Sequence, residues 1–361
     1  MKRLLLIAMT AGLVVLVVLI GKSGFQWGGD GISKPVTNDG EQAESTPAVV
    51  EKVKQGVITI VHTDSTTTLP ITGTEFTIVN GSTDAVIEKV TTGTDGRAVS
   101  SKLNYGTNYL IKQSSIMEPF ELDNQAVGGA VNQENREVTF SSTIPAYVKG
   151  YEWTENGELD VSEIYIDVPL VMQKPELPNG CEITSLTSVL NGMGYDLTKE
   201  VMADEYLPKE SFYRKDGKLY GANPYKAYAG NPRDQIAWFS YAPPIIDAAN
   251  KVFDEFGGDH TPVDISGSTR EEIYAELDRG NPVVIWVTLD LSPPQITSSW
   301  YFSDTGELFK APVNLHCVVL NGYGPGNRVH VMNPLEGQVT YDADEFFASY
   351  DALGTHALVI H

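Results

Sequence analysis

The 361-residue sequence predicts a multidomain chain: an N-terminal transmembrane helix, an all-β sandwich and a C-terminal α+β domain. Three observations carry that expectation. An apolar run from Leu4 to Ile20 follows Lys2 and Arg3. From Gly56 to Phe140, short alternating strands recur between turn residues. From Ile164 onward, helical and strand patterns are mixed around one cysteine and one histidine with reactive potential.

The apolar run of residues 4–20 spans 17 positions, the lower limit for a membrane-crossing helix. It is longer than the apolar stretch of a usual cleaved signal peptide, and no small-x-small cleavage site follows it. Basic residues before the run, against Lys22 alone just after it, favour a cytoplasmic N-terminus. Residues 1–22 are therefore expected to be an uncleaved signal anchor with everything beyond them exported; cleavage would instead give a secreted chain. No cysteine lies near enough for a lipid anchor. Residues 23–53 are rich in Gly, Ser, Thr, Asn, Asp, Glu and Pro without periodicity, and read as a flexible stalk. Acidic residues outnumber basic ones 47 to 25, a formal charge of −22. That balance argues against a nucleic-acid partner, which needs a basic surface to displace counterions from phosphates.

Residues 54–140 form the expected β domain. Val57-Ile58-Thr59-Ile60-Val61 is β-branched throughout, and Glu75-Phe76-Thr77-Ile78-Val79 runs into the turn signal Asn80-Gly81. Ala85 to Val90, Asn108 to Ile111 and Glu137 to Phe140 continue the series, with Thr94-Asp95-Gly96 as another turn. Regular spacing of short strands points to a sandwich. The phrases Pro70 to Phe76, Thr91 to Gly96 and Leu103 to Tyr109 resemble the prealbumin-like (SpaA-type) domains of Gram-positive surface proteins and pilins. Many such domains carry a Lys-to-Asn or Lys-to-Asp isopeptide crosslink assisted by an acid. Here His62 stands where the lysine is expected and Gln113 where the acid is, so no crosslink is expected and a spacer role is favoured over adhesion. Residues 141–164 read as a second connector.

Residues 165–361 carry the chemistry. Pro175, Pro178 and Asn179-Gly180 make a loop, after which Ile183, Leu186, Val189, Leu190 and Met193 recur at helical spacing until Gly192 and Gly194. Cys181 thus opens a helix, where unpaired backbone N–H groups and the helix dipole favour a thiolate. Gly180 is expected to let a substrate carbonyl approach closely. About 135 residues downstream, Val313 to Leu320 reads as a buried strand carrying His316 and Cys317, and Arg328 to Met332 as a strand ending at Asn333-Pro334. A cysteine, a histidine and an orienting amide suffice for nucleophilic catalysis. Gln173 can add a side-chain N–H for an oxyanion beside the Cys181 backbone N–H.

Val168 to Gln173, Asn179-Gly180-Cys181-Glu182-Ile183-Thr184-Ser185-Leu186, His316-Cys317-Val318-Val319 with Gly322-Tyr323, and Asn333-Pro334 together resemble the cysteine peptidase family thirty-nine-like group. That group is papain-like in fold and related to bacteriocin leader peptidases. Tyr220 to Pro224, Gly230-Asn231-Pro232 and Tyr241 to Pro244 resemble its exported Gram-positive branch. The resemblance implies an α+β papain-like domain with Cys181 as nucleophile, His316 as base, Asn333 as orienter and Gln173 in the oxyanion hole. Glu182 departs from the glycine common after the cysteine in leader peptidases, and Asn333 stands where aspartate is often found.

The rest of the domain fits this architecture. Ser268-Thr269-Arg270-Glu271 reads as a capping box opening a helix through Leu277, Pro282 to Thr288 as a strand and Ala357 to Ile360 as the last strand. Tyr220, Trp238, Phe239 and Tyr241 are expected in the core rather than in a substrate groove, and His356 and His361 outside the chemistry. Strand alternation sets His316 and Cys317 on opposite faces, so a Cys181–Cys317 disulfide and a Cys181–His316 pair exclude each other, and two free thiols are expected. The six histidines lack ligand spacing, so no metal or other cofactor is expected. The reading is a membrane-tethered extracellular cysteine peptidase-like hydrolase acting on peptides or proteins, with cell-wall-associated ones among the candidates. The alternative is a catalytically inactive papain-like cell-surface binding protein.

Overall fold

Ile58 and Ile60 alternate inward from the strand Gln55–Asp64 and meet Phe76, Ile78, Tyr109 and Ile111 from a facing sheet, all at most 1% exposed. This pairing builds the β domain. In the computed structural model, which describes residues 52–361 except Asn156, it consists of two four-stranded sheets. One gathers Arg97–Val99, Leu103–Asn104 and Asn135–Ser142 around Gln55–Asp64; the other runs Val86–Thr91, Glu75–Asn80, Asn108–Ser115, Val127–Ala130. The expected anchor, and the stalk up to Glu51, lie outside the described residues. Among the described residues no helix is long and apolar enough to cross a membrane.

The first and last strands of this domain pair in parallel, from Val57 with Asn135 to Asp64 with Ser142. His62, in the first of these strands, is fully buried, one ring nitrogen bonded to Thr74 Oγ1 (3.0 Å) and the other to Ser142 Oγ (2.9 Å). Burial pulls its pKa down to about 4, so the ring is neutral and ties the last strand to the segment just before Glu75–Asn80 by hydrogen bonds. Gln113 accepts the Asp123 backbone N–H at 2.6 Å.

The expected connector 141–164 is corrected: Val148–Trp153 and Leu159–Tyr165 are paired antiparallel strands, and the second joins the sheet of the C-terminal domain through Ile164–Tyr323 and Tyr165–Gly322. Acidic residues on the outward face hid an alternation whose inward members include Val148 and Ile164.

The C-terminal domain is built on an eight-stranded sheet. Its main path runs Pro262–Asp264, Ala357–Ile360, Val283–Thr288, Leu315–Gly324, Leu159–Tyr165, Val148–Trp153. Arg328–Asn333 also pairs with Leu315–Gly324 and forms a hairpin with Gly337–Asp342. Val283–Thr288 is buried at every position because helices cover both faces. Cys181–Gly192 and Ala242–Phe256 pack with Val284, Trp286, Cys317 and Val319 on one side. Arg270–Asp278 and Ala343–Ala352 pack with Ile285, Val287, Val318 and Leu320 on the other. The capping box is shifted one residue from expectation: Thr269 accepts the Glu272 N–H, and Glu272 accepts the Thr269 N–H. Ser-Thr followed by Glu-Glu permits two registers, and the outer one is not used.

Candidate active site

Cys181 opens its helix because the loop before it is clamped. Tyr228 donates to the Asn179 carbonyl, Asn179 Nδ2 donates to Asp234 O (2.8 Å), and Thr184 N–H returns to Gly180 O (3.0 Å). Packing requires a glycine at position 180: a Cβ there would sit 2.7 Å from Leu177 Cβ. Residues 181 to 190 are buried all round, with Ser185 Oγ donating to Cys317 O (3.2 Å) and Thr187 Oγ1 to Ile183 O (2.6 Å).

A cavity of about 290 Å3 opens over the helix start and is lined by Cys181, His316, Gln173, Asn179, Trp238 and Phe239, among others. Three of the four expected site residues therefore meet in one cleft. The fourth, Asn333, stands behind the histidine: His316 Nε2 donates to Asn333 Oδ1 at 2.8 Å. An amide oxygen only accepts, so in the neutral ring Nε2 carries the proton and Nδ1 keeps its lone pair. Asn333 Nδ2 donates to the Tyr341 hydroxyl (3.0 Å), which donates to Glu336 (3.2 Å), while the Leu335 N–H also reaches Asn333 Oδ1 (3.0 Å). Tyr341 and Glu336 were missed in the sequence. The signal was the short hairpin around Gly337, whose φ of +96° lets the chain fold back on Asn333.

Gln173 is 3% exposed, and its Nε2 donates to Pro178 O at 2.9 Å. The second Nε2 hydrogen is left over, and Oε1 is buried without a partner. The Gln173 backbone N–H bonds Pro334 O (2.9 Å), which ties this loop to the Asn333 turn.

Electrostatics at the thiol run against the helix-start expectation. Burial, and next the Glu182 carboxylate, push the Cys181 pKa well up; nearby backbone amides pull it down by less. The thiol donates to Glu182 Oε2 at 3.3 Å. Burial lowers the His316 pKa, partly offset by Asn333 and Glu336, so the imidazole is held neutral.

Both cysteines are buried free thiols. Alternation is as expected, but it is Cys317 that lies on the helix side, in one apolar cluster with Cys181. His316 reaches the cleft because it is the second residue of its strand, at the sheet's end. The premise that one placement excludes the other is therefore corrected. The aromatic set divides: Phe239 and Tyr241 are buried, Trp238 and Phe239 wall the cleft, and Tyr220 stacks on Tyr213 in a separate sheet. His356 packs on Tyr241 and His361 bonds Glu276, both outside the cleft. Among the described residues no group of side chains could hold a metal ion.

With this geometry in view, the model of the Peptidase C39 like family matches residues 165–358, more than half of the chain. The chain belongs to that family. A prealbumin-like fold domain model matches residues 56–144. The uncharacterized protein YvpB of Bacillus subtilis (strain 168) is 28% identical over 207 residues, 56% of this chain and 78% of that one. A crystal structure of a C39-like peptidase from Bacillus anthracis is 28% identical, covering 55% of this chain and 96% of that chain, with a TM-score of 0.48. The T6 backbone pilin of serotype M6 Streptococcus pyogenes is 24% identical over 22% of this chain and 16% of its own, with a TM-score of 0.21. The C39-like domain thus follows a prealbumin-like domain in one chain.

Proposed function

We propose that this chain is a membrane-tethered, extracellular cysteine peptidase that cleaves peptide or related amide bonds through a thioacyl-enzyme. The observation that carries the reading is the His316–Asn333 bond beside a cleft that also holds Cys181. His316 Nδ1 takes the thiol proton, Cys181 Sγ attacks the scissile carbonyl, and the new S–C bond forms as the carbonyl oxygen becomes an oxyanion. The free Gln173 N–H and the Cys181 backbone N–H receive that oxyanion. The imidazolium returns its proton to the leaving amine as the C–N bond breaks, and water then releases the acyl group by the same base. Asn333 keeps the ring in the required tautomer throughout.

Tethering rests on the apolar run of residues 4–20 behind Lys2-Arg3. The substrate is a peptide or protein outside the membrane. The second reading, a non-catalytic surface-binding protein, draws on the raised thiol pKa. Labelling the full chain with a cysteine-directed epoxide separates the two. Fast labelling at Cys181 that is lost in His316→Ala, with Cys317 unlabelled, supports the peptidase; equal or negligible labelling of both cysteines supports the binder.

A further inference from the structure

The steps above leave one group at the nucleophile unused. Glu182 follows Cys181 in the first helical turn, is fully buried, and is held at both oxygens. Oε1 accepts the Ser240 backbone N–H at 3.1 Å and Oε2 accepts the Cys181 thiol at 3.3 Å. Ser240 is itself fixed, its carbonyl taking the Trp286 indole N–H at 2.9 Å. A buried carboxylate normally sits beside a cation. The groups that face Glu182 are instead Cys181 on its own helix, Tyr228 from the segment beside it and Cys317 from the histidine strand, all of them acids. His316 stands on the cleft side with Asn333 and Glu336.

We propose that Glu182 is a positioning residue that gates the Cys181 proton: ionised, it accepts the thiol hydrogen and keeps the sulfur uncharged; protonated, it becomes a donor that steadies the thiolate. This rests on the reading of Cys181 and His316 as nucleophile and base. In the ionised state, moving the thiol proton to His316 Nδ1 would leave two anions about 3.3 Å apart in a dry site, which Coulomb repulsion forbids. Once a solvent proton neutralises Glu182, the S–H bond breaks, an N–H bond forms on His316, and the Glu182 O–H turns toward the sulfur. Net charge is unchanged in that second step. Burial raises the Glu182 pKa to about 7, which sets the changeover near neutrality.

The consequence is an inverted titration. An ordinary thiol gains thiolate as pH rises, whereas here the Cys181–His316 ion pair is strongest on the acid side of neutrality. The test is iodoacetamide alkylation of Cys181 in the full chain, read by peptide mass spectrometry from about pH 5 to about pH 9, a window that spans the ordinary carboxyl and thiol ranges. Wild type is expected to peak below neutrality and fall several-fold by about pH 8, whereas Glu182→Gln should hold its rate there, about tenfold above wild type. Identical pH profiles in the two proteins would overturn the proposal. Should Glu182→Gln fail to fold, wild type alone decides it: thiolate ultraviolet absorbance must drop as pH rises through neutrality, and a monotonic rise rejects the gate. His316→Ala separates the two ideas. If it abolishes fast alkylation while Glu182→Gln changes nothing, the base assignment stands and only the gate fails.

Discussion

Asn333 donates from Nδ2 to the Tyr341 hydroxyl at 3.0 Å, which decides which end of its amide meets His316. With Nδ2 committed, Oδ1 faces His316 Nε2, and the ring's second nitrogen keeps its lone pair. The Tyr341 hydroxyl donates in turn to Glu336, so a carboxylate supports the imidazole through two neutral groups.

Tyr341→Phe keeps the ring and removes that anchor. Of the two hydrogen bonds lost, the one that orients Asn333 is worth about 1 kcal/mol, and its loss is expected to slow Cys181 alkylation and peptide turnover about fivefold with KM unchanged. Asn333→Ala should slow them further. Equal rates for Tyr341→Phe and wild type would show that the amide is oriented by something else.

Glu182 has a thermodynamic signature separate from its kinetic one. Its folded pKa of about 7 lies above the unfolded value of 4.5, so between them the folded state binds more protons. Its contribution is full below the unfolded value and is lost as pH rises through about 7. The shift is worth about 3 kcal/mol at most. Urea midpoints should therefore show Glu182→Gln gaining on wild type as pH goes from about 5 to about 8. A pH-independent difference would contradict the burial effect.

Gly180→Ala places a methyl group 2.7 Å from Leu177 Cβ at the entrance to the cysteine helix. Overpacking of this kind costs about 1–3 kcal/mol and displaces Cys181. A lowered melting temperature together with slowed Cys181 labelling is expected. Unchanged values for both would mean that the loop has slack the contact denies.

In the β domain, Ser142→Ala leaves a His62 ring nitrogen unpaired in a fully buried site, at a cost of about 1–3 kcal/mol. Because burial lowers the His62 pKa to about 4, its neutral form stabilises the domain above the unfolded value of 6.5, and that stability is lost as pH falls through the folded value. Denaturation followed at about pH 7 and about pH 4 checks both the cost and the sign.

Thiol titration of the unfolded chain without reductant should return two thiols, since both cysteines are free. A count of zero would mean a Cys181–Cys317 bridge and would remove the nucleophile from the mechanism.

Much of the site was legible. Cys181 could be set at a helix start from the spacing of Ile183, Leu186 and Val189, and His316 on a strand from the apolar run Cys317 to Leu320 that follows it. Asn333-Pro334 marked a strand end, and that end does meet the histidine. What could not be read was long-range. Tyr341 and Glu336 depend on a hairpin closing, and the Glu182 environment depends on Ser240 and Trp286, which are 58 and 104 residues away in the chain. The thiol pKa went the wrong way for that reason: dipole and cap act within one turn, whereas burial comes from the whole fold. Ala242–Phe256 was overlooked because Pro243-Pro244 reads as a break, although prolines are tolerated in a first turn. The strands Ile296–Phe302 and Leu308–Pro312 were hidden because apolar Ile296 and Leu308 face outward and blur the alternation.

The parallel pairing of Gln55–Asp64 with Asn135–Ser142 has a mechanical meaning. The chain enters the β domain at one end of this pair and leaves at the opposite end, and eight residue pairs, from Val57–Asn135 to Asp64–Ser142, lie between. Tension applied along the chain therefore loads all of those pairs together in shear, instead of peeling them one at a time as a hairpin would be unzipped. The topology of the prealbumin-like domain thus suits it to bear force.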